Sequence, residues 1–315
     1  MQPIVSMRKL LLSLWMGIVV LAAGCGRNLD PTCGQKEVDV SFDMDATQSM
    51  TKAYGDGMTV NTLHVYAYLV DPDTGSLAYI DPDSHGENCP SQTLGMTGGK
   101  ASYSTRLVTG QKYVIVFWAD YRSDDYDSPY IYDNETHTIS VKDHNYQVYA
   151  VPANDEWRDA FYAVETIEVS GAIGGRTVHL KRPFAQVNIG VTDQVMSKAA
   201  SKGITFKGLS VTFSNVASKI DLVTGEVYRV ISGDDHADYI PFKASFLPDQ
   251  KFMVGGVEYN LISMNYVLVD QNEEGTVARN ISLLSDGGTF KRQFSNVILR
   301  ANHKTNIVGD IIGGE

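Results

Sequence analysis

Three cysteines in 315 residues are too few to staple a small disulfide fold, and their spacing does not resemble a zinc site. There is no block of basic residues. Lys and Arg total 26 against 37 Asp and Glu, a formal charge of −11, which argues against nucleic acid and anionic membrane faces as partners. No Gly-x-Ser-x-Gly elbow, His-Glu-x-x-His helix, phosphate loop or dinucleotide fingerprint occurs, so the enzyme classes that depend on them are excluded. The seven histidines are scattered. His144 and His236 stand beside Asp143 and Asp235, but sequence neighbours on a strand or loop point different ways, and solvated side chains are the plainer reading. The chain is not expected to be an enzyme, and no cofactor or metal is expected. It has no internal repeat, low-complexity tract or heptad run, and one long apolar stretch, Leu10 to Leu21.

That stretch follows Met7-Arg8-Lys9 and ends in Ala22-Ala23-Gly24-Cys25, the build of a bacterial lipoprotein signal. The basic pair stays cytoplasmic, the apolar run enters the export channel, and the small residues fit the peptidase. Residues 1–24 are then a signal peptide, and the Cys25 thiol carries a diacylglyceryl group, with palmitate as a typical acyl chain. Met7 is an alternative start. Two other readings are a transmembrane anchor, for which the run falls short of about 20 apolar residues, and a secretory signal that meets a cysteine by chance. Ala22 stands three before the cysteine, where Leu is usual, with Leu21 one place further back. With Cys25 lipidated, Cys33 and Cys89 remain as a candidate disulfide in an oxidising compartment, or as two unpaired thiols.

Hydrophobic residues make up 43% of the chain, with 28 Gly and 17 Tyr, a mix that suits twisted sheets and turns more than helix bundles. Residues 25–37 read as a polar tether. Val38, Val40 and Phe42 alternate with Asp39, Ser41 and Asp43, the period-2 signature of a half-buried first strand. Strands are expected at 59–71, 75–80, 100–108 and 112–120, the last apolar on both faces and so buried on both. Residues 156–163 read as a short helical turn, and 166–169 and 177–191 as strands, the latter interrupted by Pro183, which cannot donate to a ladder. Residues 194–201 are helix-tolerant. Beyond them strand-like runs recur at 204–215, 219–227, 239–245, 258–270, 277–284, 290–299 and 305–312, separated by Gly, Pro and Asp turns. Many short strands at this spacing suggest all-β sandwiches. The expected division is 38–192 and 193–315.

Asp124, Asp125 and Asp127, and the stretch Ser232 to Asp235, carry carboxylates that calcium could use, but neither fits the alternating calcium loop, and solvated loop tips are the plainer reading. Tyr126, Tyr130 and Tyr132 lie among acidic residues, where they either stack on a sugar or peptide or serve as packing residues.

Four local patterns carry a resemblance: Gly110-Gln-Lys-Tyr113 leading into Val116-Phe-Trp-Ala-Asp120; Glu156-Trp-Arg-Asp-Ala-Phe-Tyr162; Leu180-Lys-Arg-Pro-Phe-Ala-Gln-Val187; and Ala301-Asn-His-Lys-Thr-Asn-Ile-Val-Gly309. In this order, behind a lipoprotein signal, they resemble the fimbrillin-like lipoproteins of the Bacteroides group. The resemblance implies two tandem antiparallel transthyretin-like β-sandwich domains. It implies a lipid-anchored protein of the outer membrane, exposed at the cell surface or in a fimbrium. It also implies an adhesive role as a subunit or an anchor or tip accessory, with other fimbrial subunits or surface proteins as partners and a host or glycan ligand as a further candidate. In that family a trypsin-like protease removes the N-terminal segment with its first strand, and a neighbour's strand fills the groove; Lys52, the first basic residue after the expected first strand, is the candidate cleavage site. Val38, Val40 and Phe42 are the apolar positions of that strand. No further donor strand is expected beyond Gly313-Gly314-Glu315, which favours accessory, anchor or non-fimbrial roles over a stalk role. The alternative is a non-polymerising surface lipoprotein that binds carbohydrate or protein. Within the patterns, Trp118, Phe161 and Phe184 are expected in the core, with Arg182 paired to a carboxylate.

Overall fold

The structure is a computed structural model that describes residues 36–47, 57–85, 89–126, 128–141, 151–204, 206, 208–229, 239–244, 250–285 and 290–312. The expected signal at residues 1–24, Cys25, Cys33, Lys52, Asp127, His144, His236 and the stretch Ser232 to Asp235 lie outside those residues. Residues 1–37 and 38–315 separate as two units, and the architecture below is that of the second.

Four sheets account for the fold. Sheet one runs β11 (Ile173–His179), β1 (Glu37–Asp45), β5 (Lys100–Val108). Sheet two runs β10 (Phe161–Glu168), β6 (Lys112–Asp120), β2 (Thr62–Val70), β3 (Leu77–Tyr79), with β4 (Gln92–Gly95) also on β2. Sheet three runs β21 (Lys304–Val308), β12 (Phe184–Val191), β18 (Val257–Leu268), β14 (Ala217–Asp221), β8 (Thr138–Val141), β7 (Tyr130–Asp133), with β15 (Val227–Arg229) on β14 and β17 (Lys251–Val254) on β18. Sheet four runs β20 (Lys291–Leu299), β19 (Thr276–Leu284), β13 (Leu209–Ser214), β16 (Tyr239–Ala244), β9 (Val151–Pro152). Helices are short: α1 (Pro82–His85), the 3-10 turn Glu156–Arg158, and α2 (Asp193–Ser201), whose Thr192 cap accepts a hydrogen bond from the Val195 amide.

The sheets stack as four layers enclosing three apolar cores. Sheets one and two enclose Phe42, Leu63, Tyr103, Ile115 and Phe117. Sheets two and three enclose Val116, Trp118, Ile139, Phe184 and Ile220. Sheets three and four enclose Val187, Ile189, Val211, Phe213, Ile281 and Leu283. A strand in an inner layer is covered on both faces. This is why β6 is apolar from Tyr113 to Ala119: Tyr113, Ile115 and Phe117 enter the first core while Val114, Val116 and Trp118 enter the second. The same reason applies to β12, where all eight residues are buried.

The all-β expectation holds, and the first and last pairs of sheets form its two sandwiches. The pairing is not antiparallel throughout, however. β1 runs parallel to β11, β12 to β21, and β16 to β9. Parallel neighbours need a crossover, and here long intervening segments supply it. Strands β7, β8 and β12 all precede residue 192 yet sit in sheet three beside β14, β18 and β21. Strands β4, β7 and β8 carry too few alternating residues to stand out in the sequence. Pro183 falls in the gap between β11 and β12. In β12 a register shift lies at Ile189 and Gly190, and a Cβ on Gly190 would stand 2.5 Å from the Phe252 ring, so that ring lies over a point where no side chain competes with it.

Candidate functional site: the slot of the first strand

The first strand is the middle of its sheet, with β11 on one side and β5 on the other. Its sequence alternates, and alternate side chains enter one core. Val40, Phe42, Met44 and Ala46 are all buried, and Val38 is half-buried at the mouth. Met44 and Ala46 extend the same period-2 series two steps beyond the three residues picked out from sequence. Phe42 is the anchor. Its ring lies parallel to Tyr103 at 6.4 Å and meets Phe117 edge-on at 6.1 Å. The Tyr103 hydroxyl donates to the Pro90 carbonyl at 2.8 Å, which fixes that wall of the pocket.

The ladder on the β11 side sets Val40 opposite Ile173, Phe42 opposite Arg176 and Met44 opposite Val178. Two steps along β1 thus match three along β11. The extra residue lies in Gly174-Gly175, and Gly175 supplies the left-handed backbone (φ 69°) such a bulge needs. On the β5 side the Ser102 hydroxyl donates to Asp43 at 2.7 Å, and exposed Arg106 lies 3.6 Å from exposed Asp39. The strand ends where the Asp45 carboxylate accepts from the Thr47 amide and hydroxyl at 2.9 and 2.6 Å. Polar contacts therefore line the outer face, and the apolar row alone holds the inner one. Removed from between β5 and β11, β1 would leave two unpaired strand edges above pockets shaped for Val40, Phe42 and Met44.

The four sequence patterns converge elsewhere, at the junction of sheets two and three. β6 of the first pattern pairs with β10 of the second, Trp118 opposite Tyr162. The second joins the third through paired backbone bonds between Tyr162 and Lys181 at 2.8 and 2.9 Å. It also joins it through Asp159, whose carboxylate accepts from Arg182 in a forked, fully buried pair. The Arg182 guanidinium also lies over the Phe161 ring at 4.8 Å. Burial opposes its charge, but Asp159 outweighs that and raises its pKa above the ordinary value. The third pattern meets the fourth where the Asn302 amide donates to Phe184 and the Gln186 amide to His303, both at 3.0 Å. Trp118, Phe161 and Phe184 are core residues here. The patterns are thus a packing latch.

A second charged cluster surrounds Asp120 at the end of β6. Its buried carboxylate accepts from Ser128 Oγ at 3.2 Å, Trp118 Nε1 at 3.3 Å and Arg122 at 2.7 Å, with His64 Nε2 at 3.3 Å. Burial raises its pKa, but the neighbouring His64 and Arg122 more than offset that and hold it below the usual carboxylate value. Ser128 bonds the carboxylate and not the imidazole, so the three are not arranged as a nucleophile, base and orienting acid. Among the described residues no group of three or more His, Cys, Asp or Glu side chains is placed to hold a metal ion. Asp124 and Asp125 are exposed at a turn tip. Tyr130 is buried with its hydroxyl donating to the Arg158 carbonyl, and Tyr132 stacks on Tyr66 at 3.5 Å; neither faces outward as a binding residue. Cys89 is buried with a free thiol that faces the Ile80 carbonyl at 3.7 Å.

A family model described as a family of unknown function, DUF6562, matches residues 31–314. The chain belongs to that family. No curated protein matches it. Among solved structures, this DUF6562 chain is similar to a DUF1812 protein from Bacteroides thetaiotaomicron, proposed to bind polysaccharide, at 12% identity and a TM-score of 0.47 over 86% of this chain and 90% of that one. It is also similar to the fimbrial anchor protein Mfa2 from Porphyromonas gingivalis, at 13% identity and a TM-score of 0.44 over 87% and 90%. A fimbrial assembly protein from Parabacteroides distasonis follows at 14% and 0.35 over 87% and 91%. At these scores the likeness says nothing of function.

Proposed function

We propose that this protein is a lipid-anchored structural protein of the bacterial surface that joins other surface or fimbrial subunits by β-strand addition into the slot now filled by β1. The observation that carries the reading is the position of β1. A strand at a sheet edge could be lost with little consequence beyond stability. A central strand, held on its inner face by an apolar row and followed within a few residues by Lys52, leaves on removal a two-sided template for a new strand. Export and anchoring through Cys25 follow from the Leu21 to Cys25 sequence, and the resemblance to fimbrillin-like lipoproteins supports a place in a fimbria or its anchoring or tip apparatus.

The test compares the intact chain with one cut after Lys52 and freed of the residues before it. The trimmed form should lose thermal stability, self-associate in light scattering or take up an added strand peptide from a candidate partner. A trimmed form that stays monomeric, melts as before and ignores every peptide would remove strand addition through this slot.

A further inference from the structure

Three aromatic side chains with no part in any of the cores gather at one surface. Tyr121 follows directly on β6, Tyr126 closes the turn that begins at Ser123, and Trp157 sits at the centre of the 3-10 turn Glu156–Arg158. Tyr121 and Trp157 are stacked at 4.9 Å with their planes 13° apart. Tyr126 stands across both, 5.5 Å from Tyr121 at 67° and 5.3 Å from Trp157 at 80°. These three separations form a nearly equilateral triangle. A ring lying on the outer face of Trp157 would be about twice as far from Tyr121 as from Trp157, given ordinary ring spacings. Tyr126 therefore flanks the stacked pair, and no ring of this group covers the outer indole face. Trp157 is 48% exposed, one of the largest apolar side chains on the surface to be so.

The platform is held rigidly, and one carboxylate does most of the holding. Asp155 Oδ1 accepts from the Trp157 amide at 3.0 Å and caps the turn, while Asp155 Oδ2 accepts from the Tyr126 hydroxyl at 3.1 Å. The Tyr126 amide in turn donates to the Ser123 carbonyl at 3.2 Å. Between Ser123 and Tyr126 stand Asp124 and Asp125, both exposed.

We infer that the Trp157 face, backed by Tyr121 and rimmed by Asp124 and Asp125, is a binding site for a neutral pyranose ring of a saccharide. The negative face of an indole attracts the polarised C–H bonds on the flat side of a pyranose. Exposed carboxylates accept hydrogen bonds from its hydroxyls, and the same carboxylates repel uronic and sialic acids. A cation cage also uses aromatic rings, but it needs space between them for the charge. Here the rings touch one another at 4.9–5.5 Å and leave none. The site lies on the 3-10 turn and the loop after β6, and it is independent of the β1 slot.

The test measures binding of the full chain to cellohexaose, mannohexaose and galactohexaose, with trigalacturonate and 3′-sialyllactose as anionic probes. At least one neutral hexaose should bind. Trp157→Ala should weaken it tenfold or more and Trp157→Phe by about threefold, with circular dichroism unchanged. Asp124→Asn combined with Asp125→Asn, two exposed changes that leave the platform in place, should let the anionic probes bind at least threefold better. The inference is overturned if no neutral hexaose binds at millimolar concentration, if Trp157→Ala binds as the native chain does, or if the anionic probes bind the native chain as well as the neutral ones.

Discussion

Phe42 offers the sharpest test of the slot, because one side chain can be changed in two settings. In the intact chain Phe42 is 1% exposed and fits between Tyr103 and Phe117. Phe42→Ala removes the ring's transfer energy and leaves a cavity that these two rigid walls cannot close, which costs about 3–5 kcal/mol. Asp39→Ala on the outer face breaks only an exposed ion pair and should cost at most about 1 kcal/mol. Urea unfolding of the intact variants reads both. In the second setting, the chain cut after Lys52 is titrated with a synthetic peptide of residues 37–47. If β1 binds its slot as a separable strand, the same 3–5 kcal/mol reappears as a loss of two to nearly four orders of magnitude in affinity for the Phe42→Ala peptide, taking about 1.4 kcal/mol per tenfold. The Asp39→Ala peptide should bind within about fivefold of the native one. Equal binding of the native and Phe42→Ala peptides would refute the reasoning, as would a trimmed chain that takes up neither.

Arg182→Met strands the Asp159 carboxylate in a dry site and should destabilise by about 3–5 kcal/mol in denaturant, whereas Arg182→Met with Asp159→Leu should recover most of that loss. Recovery of nothing would mean that the pair does more than satisfy itself. Asp120 has a folded-state pKa below its unfolded value, so its contribution is present above about pH 4 and is lost as pH falls through the depressed folded value. Asp120→Asn should therefore flatten the fall in melting temperature below pH 4, and an unchanged acid limb would show that other carboxylates set it. Cys25→Ala should leave an unprocessed, unlipidated precursor, read as loss of metabolic palmitate labelling and of membrane retention.

Some of this protein was legible residue by residue. The alternation in β1, the apolar continuity of β6 and the helix-tolerant run at 194–201 are local facts. Hydrophobic period and turn chemistry act over a few residues, so strand existence could be read without knowing any partner. The expected lipoprotein signal is likewise a reading of linear sequence. Three things were not local. The four family patterns read as core packing in sequence, with Arg182 on some carboxylate, and only the structure shows that Asp159 and Arg182, Tyr162 and Lys181, Phe184 and Asn302 meet in one latch. The aromatic platform joins Tyr121, Tyr126 and Trp157 from two loops, while Tyr130 and Tyr132, which share the same acidic stretch of sequence, pack inward. And which strands share a sheet was decided by tertiary structure alone. Alternation fixes that a strand has a buried face but names no neighbour, so nothing in Val38 to Phe42 distinguishes a dispensable edge strand from the central strand of a three-stranded sheet. Only the hydrogen-bonded partners on both sides, β5 and the parallel β11, both far from β1 in sequence, show that β1 is central.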